Sequence, residues 1–358
     1  MKNNIIVTGG AGFIGSNFIL DMLDSSNYNR PDLLINLDQL TYAGNLENLE
    51  SLKHNPGYVF VKGNVADKNL VSSLFKEHQP RAVIHFAAES HVDRSIRDSS
   101  DFIETNIIGT YTLLESARQY FDTLCEEDKT QFRFLHVSTD EVYGSLNAND
   151  LPFSEKNRYE PNSPYSASKA SSDHLVRAWH HTYQLPTLIT NCSNNYGPYQ
   201  FPEKLIPLCI FNALTNKSIP IYGDGKQIRD WLYVKDHCKA IQSILMKGQV
   251  GETYNIGGLN EKTNIEVVNQ ICRLLDQLKP RSDGESYLKQ IKFIQDRPGH
   301  DRRYAIDASK LQSTIGWKPE ESFESGLDKT IHWYLNHQEW VNHITSGEYR
   351  LWIEKNYS

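Results

Sequence analysis

The first residues of the chain restrict its fold more than any other stretch. Ile5-Ile6-Val7-Thr8 is a β-branched run that enters Gly9-Gly10-Ala11-Gly12-Phe13-Ile14-Gly15, where Gly9, Gly12 and Gly15 set a GxxGxxG spacing. Gly12–Leu23 then reads as a helix. A strand, a glycine turn and a helix in that order are how an open α/β sheet holds a dinucleotide. The glycines let the backbone approach a pyrophosphate, and the helix N-terminus supplies oriented N–H groups. Without those flanking elements a glycine triplet is an ordinary turn. Gly9, Gly12, Phe13, Ile14 and Gly15 are therefore candidate cofactor contacts.

The pattern continues to about residue 190. Strand candidates at Ile5–Thr8, Leu33–Leu37, Tyr58–Lys62, Ala82–Ala87, Phe132–Ser138 and Thr187–Thr190 alternate with helix candidates at Gly12–Leu23, Lys68–Glu77, Ser100–Tyr120 and Pro164–Tyr183. Alternation of that kind predicts an α/β fold with a Rossmann-like, doubly wound parallel sheet. Ser163 is placed to cap the last helix, with Pro164 at its first position. Beyond Tyr196 the texture is mixed: short strands at Ile219–Tyr222, Thr253–Ile256 and Lys292–Gln295 lie among helices, and Thr263 with Glu266 makes a capping box for a helix to about Leu278. A chain of 358 residues exceeds the size at which single cores divide. The expectation is a dinucleotide-binding domain over 1–195 that carries the catalytic residues, and a smaller mixed α/β domain over 196–358 for substrate, with chain crossovers between them allowed.

A formal charge of −7 provides no general basic surface, so nucleic acid is not an expected partner, and an anionic substrate must meet a few cations placed in a pocket. The five cysteines are scattered, odd in number and never spaced CxxC, which argues against a disulfide framework and a zinc site and for a reducing compartment. No metal is expected. The start lacks an apolar signal region, and no segment reaches the roughly 20 apolar residues of a membrane span. The expected location is the cytoplasm, with no membrane partner.

Asp38 closes the second strand candidate, where an acidic residue accepts hydrogen bonds from the adenine ribose and repels a 2′-phosphate, favouring NAD over NADP. Its other reading is a cap on the following turn. Asn64 and Val65 follow the third strand, on the adenine side. Tyr165 and Lys169 stand four apart on a helix and share a face. A nearby ammonium stabilises a tyrosinate, lowering the phenol from near 10 toward a value suited to a base. Alone, Tyr-x-x-x-Lys is usually a surface pair. Here it follows a glycine-rich turn and a strand ending in Ser138-Thr139.

Taken together, the glycine motif, Ser138-Thr139 and Tyr165-x-x-x-Lys169 resemble the extended short-chain dehydrogenase/reductase family over nearly the whole chain. That resemblance implies bound NAD, a homodimer built on a four-helix bundle that includes the Tyr165 helix, and three roles. Thr139 hydrogen-bonds the substrate hydroxyl, Tyr165 is the base, and Lys169 binds the nicotinamide ribose and tunes Tyr165. It adds Thr41, Ala87, Ala88, Ser90, Thr105 and Asn195 to the cofactor contacts.

Asp140 and Glu141 directly follow Thr139. An Asp-Glu pair after a strand is usually a solvated turn, but strand C-termini of an open parallel sheet line the ligand crevice. The trio is similar to that of the branch of the family that dehydrates dTDP-glucose across C5 and C6. Thr41–Asn45, Ala87–Asp93, Asn194–Pro198, Arg229–Trp231 and Asp296–Asp301 are similar to its segments too. The likeness implies that Ser90, Thr139, Asn194, Lys204, Leu205, Pro220, Tyr222, Arg229, Asn264, Asp296, Arg297 and His300 hold a nucleotide sugar. Arg229 and Arg297 can fork onto phosphate and Lys204 can supply a point charge, or each can serve a structural salt bridge. Asn64 departs from the branch's usual aspartate, though its amide can still meet adenine.

The implied reaction oxidises C4 with Tyr165 as base, removes the C5 proton with Glu141, and protonates the departing C6 hydroxyl with Asp140. Hydride then returns to C6. Two adjacent carboxyls with opposite duties need environments that separate their pKa values. Two other readings share part of this pattern. A UDP-sugar 4-epimerase or UDP-glucuronate decarboxylase has the same cradle and Tyr/Lys pair, but an epimerase has no task for Asp140-Glu141 and a decarboxylase needs a cation placed for a sugar carboxylate. A non-catalytic dinucleotide binder has no need of Thr139, Tyr165 and Lys169.

Overall fold

Strands are numbered along the chain, and the structure, a computed structural model, describes residues 2–296 and 300–345. The six early β-branched runs become β1 (Asn4–Thr8), β2 (Leu33–Asp38), β3 (Tyr58–Lys62), β4 (Ala82–His85), β5 (Arg133–Thr139) and β6 (Thr187–Cys192). With β10 (Thr253–Ile256) they form a seven-stranded sheet in the order β10-β6-β5-β4-β1-β2-β3, every pair parallel. Apolar runs suit it because both faces are covered. Alternation along β1 divides the layers: Ile5 and Val7 join the core that includes helices Phe13–Met22 and Val234–Lys247, whereas Ile6 joins the one with helices Lys68–His78, Thr110–Asp122 and Pro164–Tyr183. The winding direction reverses between β1 and β4, which opens a crevice at their C-terminal ends.

The helix start at Ser163 has the anticipated form: its hydroxyl accepts the Ser166 N–H, and Pro164 leads the helix. Ser100–Tyr120 is not one regular helix. A short α-helical piece, Ser100–Phe102, widens into a π-helical turn at Ile103–Gly109 before Thr110–Asp122 continues. Asn106 accounts for the widening. Its amide donates to Glu89 O at 3.0 Å and Ser168 Oγ at 2.8 Å and accepts the Glu89 N–H at 2.9 Å. Its carbonyl, released from the regular ladder, accepts the Ser172 hydroxyl at 2.5 Å and the Thr110 hydroxyl at 2.6 Å. Asn106→Ala strands buried polar groups of Glu89 and Ser168, so we expect a loss of about 1–3 kcal/mol in denaturant-induced unfolding.

The remaining strands are β7 (Asn194–Tyr196), β8 (Ile219–Tyr222), β9 (Ile228–Tyr233), β11 (Glu261–Thr263) and β12 (Ile291–Ile294). They make a sheet of order β11-β9-β7 and a parallel pair β12-β8. Helices Leu205–Leu214, Asn264–Leu278 and Phe323–Asn336 pack around them on a second core. The capping box at Thr263 is present, with Glu266 Oε2 accepting the Thr263 N–H at 2.8 Å. β9 was not anticipated because Arg229 and Asp230 interrupt its apolar pattern.

Position 196 is not a clean divide. Helix Val234–Lys247 returns to pack on Phe13–Met22, β10 pairs with β6, and Leu311, Ile315 and Trp317 enter the core of the large sheet. Completing the parallel sheet and covering its apolar face requires those later segments. Arg297 lies outside the described residues. All five cysteines are free, and no helix among the described residues is long and apolar enough to cross a membrane.

Candidate active site

A cavity of about 300 Å³ opens at the C-terminal ends of β1, β2, β4, β5 and β6. Its floor is the glycine turn. Gly9 has φ +71°, and a Cβ there would sit 2.5 Å from the Ala87 backbone nitrogen. A Cβ on Gly15 would come within 2.3 Å of Gly9 O, so helix and turn touch backbone to backbone. Gly12 caps the helix without a side-chain bond, leaving the first-turn N–H groups to an anion from outside the chain. Phe13, Ile14, Thr41, Val65, Ala87, Ala88, Ser90 and Thr105 also line this space. These features fit a dinucleotide.

Asp38 caps the turn that follows β2 and also lines the cavity. Its Oδ1 accepts the Leu40 N–H at 2.8 Å and its Oδ2 the Ala11 N–H at 2.9 Å, tying the glycine turn to the end of β2. Burial nevertheless raises its pKa, and the carboxylate lines the cavity with acceptor sites to spare for ribose hydroxyls. Val65 is on the wall as expected, but Asn64 is not; its Oδ1 turns to the Ala66 N–H at 2.8 Å.

Thr139, Asp140, Glu141, Tyr165 and Lys169 meet on one wall. Thr139 ends β5, and its hydroxyl accepts the Glu141 N–H at 3.3 Å, which starts a tight 3-10 turn and turns both acidic residues into the crevice. Asp140 is 2% exposed. Burial first, then the charges of Glu141 and Asp230, hold its carboxyl well above the usual range, against Arg229 and Thr139. Its Oδ2 is buried without a hydrogen-bond partner among the described residues, as is Asn194 Oδ1 on the same wall. A protonated Asp140 can thus give a proton to a ligand oxygen.

Burial, and then the charge of Glu141, hold the Tyr165 phenol well above its ordinary value. The Lys169 ammonium, one helical turn on, donates to Val137 O at 2.9 Å.

Beside the cavity, next to Phe201, Glu203 and Lys204 of its lining, lie contacts that sequence reasoning missed. Tyr42 donates to Glu203 Oε1 at 3.0 Å, packs edge-on to Phe201 and lies under the Arg94 guanidinium, 3.7 Å from its ring centre. Lys204 donates to Ser90 O at 3.0 Å. Burial pushes Glu203 up to about 7. Ser138, Cys192, Ser193 and Gln200 line the wall as well; the rule that strand C-termini face the crevice could have found the first three.

Asn194, Asn195 and Lys204 are on the cavity wall, whereas Leu205, Pro220, Tyr222, Arg229, Asn264, Asp296 and His300 lie outside it. Several of these gather into a second group. Tyr222 reaches Asp93 Oδ2 at 3.3 Å and stacks edge-on with His300, whose Nδ1 is 2.6 Å from Asp296 Oδ1. Arg229 is nearer the catalytic wall. It stacks on Tyr304 at 4.4 Å, donates to Asp301 O at 3.0 Å and acts electrostatically on Asp140.

Residues 6–330 match the sequence model of the GDP-mannose 4,6 dehydratase family. The chain belongs to that family. Within it, the chain is 59% identical over 346 residues to dTDP-glucose 4,6-dehydratase of Xanthomonas campestris pv. campestris, covering 97% of each chain. It is 57% identical over 361 residues to dTDP-glucose 4,6-dehydratase 1 of Escherichia coli K12, covering 99% of this chain and 98% of the relative. Among solved structures, dTDP-glucose 4,6-dehydratase of Bacillus anthracis in complex with NAD superposes with a TM-score of 0.83 at 49% identity, over 95% of this chain and 99% of that one. A UDP-glucose 4-epimerase from Thermotoga maritima shares the fold at a TM-score of 0.81 but only 28% identity. Proteins named for different reactions thus share this fold.

Proposed function

We propose that this chain converts dTDP-glucose to dTDP-4-keto-6-deoxyglucose and water, with NAD as its resident cofactor. The observation that carries the reading is the 3-10 turn after β5, which sets buried Asp140 and partly exposed Glu141 on the same wall as Thr139, Tyr165 and Lys169. The 56–59% identical relatives, all named for that activity, support it.

NAD, held at the glycine turn, would supply the hydride acceptor for C4 and the hydride donor for C6. The chain does the rest. Thr139 aligns the C4 hydroxyl, Tyr165 accepts its proton, and Lys169 holds the nicotinamide ribose. The C4 ketone acidifies C5–H; Glu141 removes that proton and returns one to C5 when hydride reaches C6. Asp140, whose environment keeps it protonated, gives its proton to the departing C6 hydroxyl. Lys204, on the cavity wall, and Arg229, outside it, are the cations we assign to the substrate diphosphate. An epimerase has no use for the Asp140-Glu141 pair. Incubation with dTDP-glucose tests the reading: a 4-keto-6-deoxy product supports it, and C4 epimerisation without water loss refutes it.

The apolar surface supports a homodimer. Tyr111, Trp179 and Tyr183 run edge to face along helices Thr110–Asp122 and Pro164–Tyr183, with Tyr111 46% and Tyr183 45% exposed. Five free cysteines suit the cytoplasm. Asp38 sets the cofactor choice, so Asp38→Ala should narrow the preference for NAD over NADP at least tenfold. Calorimetry on cofactor-stripped protein measures this, and an unchanged ratio removes Asp38 from that role.

A further inference from the structure

Beneath the Tyr165–Lys169 pair lies a buried polar group that the reaction above leaves unused. Helix Pro164–Tyr183 carries Tyr165, Lys169 and Asp173 at steps of four, so all three project from one face toward the sheet. The Lys169 ammonium is 3.4 Å from His136 Nε2, and the same nitrogen is 3.3 Å from Asp173 Oδ1. Asp173 Oδ2 accepts the Ser138 hydroxyl at 2.9 Å and the Asn191 amide at 3.3 Å. Lys169 is 3% exposed, Asp173 1% and His136 0%.

A solitary ammonium or carboxylate at that depth costs several kcal/mol, so each demands an opposite charge nearby. Titratable groups face this point from every side: Tyr165 and Asp173 on the helix, His136 on β5, Asp140, Glu141 and Tyr143 on the turn after it, Tyr159 before the helix and beside Asp173, Cys192 on β6 and His85 on β4. Asp173 is the one whose charge most favours the ammonium, and Lys169 in turn favours the Asp173 carboxylate. Burial, followed by the charge of Lys169, keeps His136 neutral. Its Nε2 can accept from Lys169, and it lies at ion-pair distance from Asp173 Oδ1 without a hydrogen bond to it.

We propose that Asp173 is the counter-charge that keeps Lys169 protonated and in place across the neutral His136 ring. Asp173 is therefore a positioning residue for the oxidation of C4. The inference rests on the role of Lys169 given above.

The sign of its effect is fixed by charge. Asp173→Asn keeps the shape but removes the anion, so Lys169 loses its proton at a lower pH. Two profiles report this on the full chain: single-turnover oxidation of dTDP-glucose by the NAD-loaded enzyme, and NADH binding to cofactor-stripped protein, read by fluorescence. Both should fall away on the alkaline side at least about one pH unit earlier than in the parent. Profiles that superimpose on the parent's overturn the proposal. If Asp173→Asn does not fold alone, the pairing with Lys169→Met decides. Lys169→Met strands a buried carboxylate, so adding Asp173→Asn should recover melting temperature, and no recovery overturns the proposal. Failure of the parent itself to oxidise dTDP-glucose would refute the functional reading, while NADH binding would still judge Asp173.

Discussion

Glu141→Gln should stop the reaction half-way. The substitution keeps size and most hydrogen bonding but cannot accept the C5 proton, while Thr139, Tyr165 and Lys169 remain for the oxidation. Removing a positioned base costs about 10²–10⁴-fold in rate. Mixing with dTDP-glucose should therefore give a lasting reduced-nicotinamide absorbance, and exchange of C5–H with deuterated solvent should fall by a similar factor. Asp140→Asn should also slow water loss, for a different reason: it removes the proton that burial and Glu141 hold on that carboxyl. If Glu141→Gln forms the 4-keto-6-deoxy sugar at the parent rate, Glu141 is not the C5 base.

Tyr165→Phe should block the step before that. The phenol is buried, and its ring packs edge-on to Phe102 at 6.3 Å, a contact that phenylalanine keeps. We expect a folded protein that retains NAD yet shows no fast rise in reduced nicotinamide, with oxidation slowed about 10²–10⁴-fold. The two variants thus differ in what accumulates. Stopped-flow absorbance separates them, and near-normal oxidation by Tyr165→Phe removes it from the role of base.

Much of this site was legible because its chemistry is local. Gly9 through Gly15 lie in one turn, Thr139 to Glu141 on one strand end, and Tyr165 and Lys169 on one helix face, so spacing alone brings each group together. The roles that depend on where a side chain points were not legible. That the Lys169 ammonium also reaches Val137 O is set by β5, 32 positions away, and has no local signal. Asp173 shares the i, i+4, i+8 face of Tyr165 and Lys169, a signal present in the sequence, yet His136 connects to it only through the pairing of β5 with its neighbours. The Tyr42–Glu203 contact joins residues 161 positions apart, and no local pattern announces it. The fold shows the same division. Six parallel strands were readable from β-branched runs, while β9 and the return of the chain to β10 were set by packing partners remote in sequence.

That return has a consequence for the chain as it is made. A ribosome has finished β1 through β6 by Cys192, yet the outer edge of β6 has no partner until Thr253–Ile256 emerges. The apolar side of helix Phe13–Met22 likewise waits for helix Val234–Lys247, and the last pieces of that layer, Leu311, Ile315 and Trp317, come later still. During that interval the nascent chain carries a bare parallel edge and an uncovered greasy face, the two features that most invite wrong partners. A fragment of residues 1–195 would keep that bare edge and face, so we expect it to aggregate when made alone.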